Sequence, residues 1–182
     1  MTSVFSNRAG RTASEAQAYV RAVTGLVGER DPLAVLAATP GELERRVTAT
    51  PVERLRVAEA PGKWSALEAL RHLADTEIVY GWRFRLVLAE EKPTLTGFDQ
   101  DRWAARLRYS ETPPDHAIAS FRINRKGNLW LLRGAGPADL ARVGMHSERG
   151  EESLERLVLM AAGHDLLHLR QIDRILAAAG GS

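Results

Sequence analysis

Cysteine is absent from this 182-residue chain. Its absence excludes disulfide bonds, thiolate metal ligands and a cysteine nucleophile. A metal site in this chain therefore needs nitrogen or oxygen ligands, and a sulfur nucleophile has to arrive on a small molecule.

Long apolar runs and an excess of one charge sign are also missing. No segment is long and apolar enough to predict a membrane span, and residues 1–8 lack the apolar run of a signal peptide. The formal net charge is only +2, and the densest basic patch, residues 122–126, is typical of a solvated helix face. We therefore expect a cytoplasmic protein that binds neither membranes nor nucleic acid.

The remaining composition is that of a globular protein. Hydrophobic residues make up 45% of the chain and charged residues 26%, and a chain of this length can bury a stable core. We expect one domain over residues 1–182, with its core at about 12–179.

Helix starts are marked by capping signals. Residues 12–15 and 65–68 match the capping box, in which a threonine or serine precedes a glutamate by three positions. Asp31 and Thr39 each precede a proline, which favours an N-cap followed by the first helical residue. The predicted helices are residues 13–28, 32–38, 40–48, 65–88, 112–134 and 151–180, with one or two further turns at 101–107.

Strand signals are weak along the whole chain. The only clear alternation of apolar and polar residues is the short stretch 54–57, and residues 92–111 and 134–150 are predicted as long connections. Four long helices with almost no strand predict an all-α four-helix bundle with additional short helices.

Two histidines share one face of the last predicted helix. His164 and His168 are four residues apart, in a stripe with Leu157, Ala161 and Ile175. Two imidazoles at this spacing can bind one divalent metal ion. Hydrogen bonds to buried carboxylates, or a hydrated seam, would satisfy the same rings, and the pair alone does not decide between the two interpretations.

A third metal ligand has to come from upstream. The pair with Asp165 resembles the zincin motif, but aspartate is one methylene shorter than the glutamate of that motif, and the chain ends fourteen residues after His168. His116 is most simply a surface residue, His146 lies in a loop before the last helix, and His72 lies on a long helix that can pack against it. Three neutral imidazoles would leave an open coordination position and suit zinc or nickel, with iron also compatible.

The ordered pattern of these residues resembles the DinB-like (DinB/YfiT) superfamily over residues 15–178. The resemblance rests on four segments: residues 64–65, 72–77, 98–103 and 146–171. Its most specific part is the combination of His72 with His164 and His168. The resemblance implies a four-helix bundle, often a homodimer, in which these three histidines hold a divalent metal ion.

The resemblance implies more than one kind of activity. Characterised members of the superfamily are thiol-dependent S-transferases or isomerases that use bacillithiol, mycothiol or glutathione, and others are considered metal-dependent hydrolases. We expect transfer of a low-molecular-weight thiol to an electrophilic small molecule, in detoxification or a stress response, because a metal-coordinated thiol loses its proton readily. Metal-dependent hydrolysis is one alternative, and a non-catalytic metal-holding or stress-response binding module is the other.

Further polar residues are candidates for orienting the metal ligands. Asp75 or Glu77 could accept a hydrogen bond from His72, because metal-bound imidazoles usually donate their other N–H to an oxygen. Gln171 lies one turn beyond His168 and could bind its ring or a molecule at the metal.

Other residues are candidates for substrate contact. Arg83 and Arg125 could bind the carboxylate of a thiol cosubstrate, or they could form salt bridges between helices. His146 could approach the site from its loop, and Asp165 is expected to point away from it. Trp103 is either a packing residue or part of the pocket mouth.

Overall fold

The computed structural model describes residues 12–178. The described helices are α1 (Ala13–Gly25), α2 (Pro32–Thr48), α3 (Val52–Leu55), α4 (Ala66–Ala89), α5 (Gln100–Arg106), α6 (Pro114–Arg133), α7 (Pro137–Leu140) and α8 (Leu154–Ala178). A 3-10 turn (Tyr109–Glu111) and three strands complete the described structure: β1 (Thr94–Leu95), β2 (Val143–His146) and β3 (Gly150–Ser153). The expected helix end at Gly180 and the N-terminal residues 1–8 lie outside the described residues.

Helices α2, α4, α6 and α8 form a four-helix bundle. Helix α4 packs against α6 and α8, and α2 packs against the same two helices from the other side. The predicted all-α four-helix bundle with additional short helices is therefore confirmed. None of the described helices combines the length and apolar character that crossing a membrane requires.

The capping boxes predicted from sequence begin α1 and α4. The side chains of Thr12 and Ser65 accept hydrogen bonds from the backbone N–H three residues later, and the glutamates at those positions bond back. Helix α1 ends at Gly25, earlier than expected, in a turn that includes Gly28 at a positive φ of 61°. Helix α1 packs against α8, outside the bundle, so α2 takes the place in the bundle that the sequence assigned to α1.

Helix α2 is continuous, and the prediction of two short helices at 32–38 and 40–48 is wrong. Pro40 lies inside α2, where it has no N–H to donate to the carbonyl of Leu36. The guanidinium of Arg125 on α6 donates to that carbonyl over 2.8 Å instead. The contact with Arg125 therefore satisfies the Leu36 carbonyl that Pro40 leaves unpaired. Helix α2 continues through Pro40.

A small three-stranded sheet occupies the two predicted connections and the first residues of the helix predicted at 151–180, which begins only at Leu154. Strand β1 pairs in parallel with β2, and β2 pairs with β3 in an antiparallel hairpin. Strands of two to four residues are too short to show a period in the sequence. The alternation at 54–57 is not a strand, because α3 buries Leu55 in a helical turn there. The sheet brings the end of β2 to the bundle.

Candidate metal centre

The three predicted histidines come together in the bundle interior. His72 lies on α4, and His164 and His168 lie one turn apart on α8, the neighbouring helix. Their side chains are buried, with exposed fractions of 1%, 5% and 6% in that order. His72, the upstream candidate for the third ligand, therefore lies against His164 and His168.

The facing ring nitrogens are spaced for a single ion. Nε2 of His164 lies 3.2 Å from Nε2 of His72 and 3.1 Å from Nε2 of His168. All three ligand atoms lie within 4.8 Å of one another. Tetrahedral zinc with Zn–N bonds of about 2.0–2.1 Å would hold its nitrogens about 3.3 Å apart. The residues therefore fit a divalent metal ion.

A hydrogen bond to Gln171 orients the ring of His168. Nδ1 of His168 lies 2.7 Å from Oε1 of Gln171, one turn further along α8. An amide oxygen can only accept, so the ring proton lies on Nδ1 and the lone pair of Nε2 faces the other histidines. Gln171 thus occupies the orienting position suggested by its spacing.

Burial keeps the triad neutral. It lowers the pKa of His168 to about 4, although the bond to Gln171 acts in the opposite direction. Burial, and then the neighbouring histidines, hold the pKa of His72 and of His164 well below the ordinary value of 6.5. Neutral imidazole is the form that binds metal.

Aromatic rings pack against the triad. The ring of Trp64 lies 4.9 Å from the ring of His72 and 6.5 Å from that of His168, centroid to centroid. Phe98 lies 6.3 Å from His72, and Trp103 packs behind Phe98 at 4.5 Å. Trp103 thus supports a ring at the site, which agrees with its interpretation as a packing residue.

A small polar cavity adjoins the triad. Its water-accessible volume is about 20 Å³, enough for about one water molecule. The lining consists of Tyr19, His72, Thr76, Tyr80, Arg83, Gly97, Phe98, His146, Glu148, Arg149, Met160 and His164. A larger open groove of about 700 Å³ beside Trp130 shares none of these residues. The chemistry-bearing side chains therefore converge on the smaller cavity.

The sequence profile of the DinB superfamily matches residues 36–172, which contain all three histidines. The chain belongs to the DinB superfamily. The expected family is thus confirmed over most of the chain.

Several curated relatives match about two thirds or more of the chain. A protein of Bacillus mycoides is 28% identical over 136 residues, covering 75% of this chain and 78% of its own. One of Oceanobacillus iheyensis is 28% identical over 123 residues, covering 68% and 71%. Both carry the provisional name of metal-dependent hydrolase.

A solved structure shares the fold. YfiT of Bacillus subtilis, described as a probable metal-dependent hydrolase with an unusual four-helix bundle topology, superposes with a TM-score of 0.75 at 20% identity. The match covers 97% of this chain and 94% of that one.

The carboxylates near the triad of this DinB-superfamily chain are bound to arginines. Asp75 pairs with Arg71 over 2.6 Å, and neither Asp75 nor Glu77 hydrogen-bonds the ring of His72. Arg125 bridges Glu77 at 2.7 Å and Asp165 at 2.6 Å. Arg125 therefore forms the inter-helix salt bridge that the sequence allowed as an alternative to substrate binding. Asp165 was expected to point away from the site, and it binds Arg125 and is not among the residues that line the cavity.

Arg83 and His146 line the cavity. Arg83 lies on the same face of α4 as His72, three turns further along, and His146 ends strand β2. Both side chains are almost completely buried, with exposed fractions of 5% and 3%. Of the candidates for substrate contact, these two are the ones that the fold brings to the cavity.

Sequence reasoning missed several residues of the cavity wall. Thr76 and Tyr80 follow His72 at intervals of four on α4, a spacing that could have identified them. Arg149 lies in the β2–β3 hairpin, and Tyr19 comes from α1. No local signal connects those two positions to the histidines, because only tertiary packing brings them together.

Proposed function

We propose that this protein is a metal-dependent enzyme that transfers a low-molecular-weight thiol to an electrophilic small molecule, in detoxification or a stress response. The observation that carries the proposal is the convergence of three neutral imidazole nitrogens beside a polar cavity. A buried triad without a carboxylate suits zinc or nickel, and iron is also compatible.

The residues of the site have separable roles. When bound, a divalent ion supplies Lewis-acid chemistry that promotes loss of a proton from a thiol or from water. Gln171 orients His168, and the rings of Trp64 and Phe98 help to exclude solvent from the triad. The cavity beside His72 and His164 would receive only the reacting end of a small molecule, because its volume is about that of one water molecule.

The scarcity of free carboxylates near the triad favours a thiol as nucleophile. Asp165 and Glu77 are both held by Arg125 and are not available as bases. A coordinated thiol needs less help than water, because it is deprotonated outright at a metal. The chain has no cysteine of its own, so the thiol is a cosubstrate.

Metal-dependent hydrolysis is the second candidate. It is supported by the provisional names of the curated relatives. It is also supported by Glu148, the one carboxylate among the residues that line the cavity, which could accept the proton of an attacking water.

Thiol dependence of the rate separates the candidates. With metal-loaded protein and an alkyl halide or epoxide, we expect an initial rate that saturates with added thiol and disappears in His168→Ala. The exposed His116 provides the control, since His116→Ala should leave the rate unchanged. A rate of ester or amide hydrolysis that ignores thiol and falls in Glu148→Gln would instead favour hydrolysis. No turnover with either substrate class would leave the non-catalytic metal-holding module.

We also propose that the protein forms a homodimer through α4 and α6. Ile78 and Trp82 share one stripe of α4, and Ile123 and Trp130 share one stripe of α6, with 51–80% of each residue exposed. Neighbouring apolar stripes of this kind favour a second copy of the same surface. Sedimentation should show a dimer for the wild type and a monomer for Trp82→Lys combined with Trp130→Lys. A monomeric wild type would contradict the proposal.

A further inference from the structure

Arg83 is a buried cation without a counter-ion. One terminal nitrogen donates to the carbonyl of Thr96 over 2.7 Å, while Nε is buried and has no hydrogen-bond partner. No carboxylate of residues 12–178 forms an ion pair with it, and burial lowers its pKa. The guanidinium lies over the Tyr80 ring, 5.8 Å from its centroid, in a cation–π contact that supplies no acceptor for its N–H groups. A buried charge without a counter-ion is unfavourable unless a ligand supplies the missing acceptor.

His146 presents a second unpaired donor to the same cavity. Its Nδ1 accepts a hydrogen bond from the backbone N–H of Glu148 over 3.1 Å. Burial, and then the charges of Arg149 and Arg83, lower its pKa to about 3, so the ring is neutral at pH 7. The proton of a neutral ring whose Nδ1 accepts lies on Nε2, and this Nε2 is buried without a partner.

The other charges of the lining do not satisfy these donors. Arg149 is bound to Glu152 by two contacts of 2.7 and 2.8 Å, so that pair is neutral as a unit. Glu148 lines the cavity but forms no ion pair with Arg83 within residues 12–178. Two residues that line the cavity therefore each carry a buried N–H group for which no described group is an acceptor.

We propose that Arg83 and His146 bind the carboxylate of the small-molecule substrate beside the histidine triad. A carboxylate offers acceptor oxygens to the guanidinium and to the imidazole N–H. The water-accessible volume of the cavity is only about 20 Å³, which favours the smaller, planar carboxylate over the larger, tetrahedral phosphate. The carboxylate anchors the substrate while its reacting atom lies at the triad, and in this respect the inference rests on the proposed function.

Acetate, a carboxylate without further groups, tests the site directly. We expect calorimetric titration of metal-loaded protein with acetate to give saturable binding. Arg83→Gln and His146→Phe should each weaken it about tenfold or more, because each removes a hydrogen bond to a charged group. Arg85 is the matched control on the same helix. It is exposed and points away from the cavity, so Arg85→Gln should bind acetate like the wild type.

Thermal melting adds a readout that a structural arginine would not give. Without ligand, Arg83→Gln removes an unpaired buried charge, and its melting temperature should equal or exceed that of the wild type. Loss of acetate binding without loss of stability would support a ligand site. A lower melting temperature for Arg83→Gln would assign Arg83 a structural role and overturn the proposal.

Three further results would overturn the inference. These are absence of saturable acetate binding to the wild type, acetate binding by both cavity variants with wild-type affinity, and tighter binding of inorganic phosphate than of acetate. The titration measures no turnover, so its failure is distinguishable from failure of the thiol-transfer assay. Rates with mercaptoacetate and with 2-mercaptoethanol then locate the carboxylate on the thiol or on the electrophile.

Discussion

Arg125 explains why an aspartate next to a metal-site histidine is not a base. Its guanidinium binds Asp165, Glu77 and the carbonyl of Leu36, which Pro40 leaves without a helical partner. Burial disfavours this cation, but the two carboxylates outweigh burial and raise its pKa. One buried side chain thereby joins α2, α4, α6 and α8 behind the triad. The histidines therefore lie beside carboxylates, Asp165 and Glu77, that are already paired with Arg125.

The lowered pKa values predict acid sensitivity of the metal-free protein. Because the folded pKa of His168 is about 4, the unfolded state binds protons more readily as the pH falls below the ordinary value of 6.5. The contribution of His168 to the free energy of unfolding is fully present above pH 6.5. It decreases by about 3 kcal/mol as the pH falls towards 4. Denaturant titrations from pH 7 to 4.5 should show this loss, with a shallower dependence in His168→Gln. Equal dependence in both proteins would contradict the assigned protonation.

Helix α8 carries two histidines of the triad and also packs very closely against α1 at Gly163. A Cβ atom at Gly163 would lie 2.2 Å from the carbonyl oxygen of Val23 on α1, so only glycine permits this approach. The small sheet also contributes to the site, because strand pairing brings His146 to a cavity otherwise formed mainly by helices. Elements outside the four-helix bundle thus complete the site.

A pair of glycine substitutions tests the contact between α1 and α8. Gly163→Ala should destabilise the protein by about 1–3 kcal/mol or more, because the backbone of α1 has to move. Gly127 lies inside α6, and a Cβ atom there would meet no neighbouring atom within 4 Å, so Gly127→Ala should stabilise by about 0.5–1 kcal/mol. Chemical denaturation measures both values. Equal stability of Gly163→Ala and the wild type would contradict the close approach.

At the scale of the whole molecule, local signals predicted the bundle and the grouping of the histidines. Capping boxes at Thr12 and Ser65 placed two helix starts, and the spacing of His164 and His168 placed two imidazoles on one face. The continuity of α2 through Pro40 could not be predicted, since it depends on Arg125, 85 positions further along the chain. The sheet and the cavity wall likewise arise from contacts between distant segments.

Metal content tests the central claim most directly. Elemental analysis of purified protein, after reconstitution, should find about one equivalent of zinc, nickel or iron in the wild type. The metal should be lost in His72→Ala and in His168→Ala, because each removes a ligand. The exposed His116 is the matched control, and His116→Ala should retain the metal. Metal retained in both triad variants, or absent from the reconstituted wild type, would contradict the account.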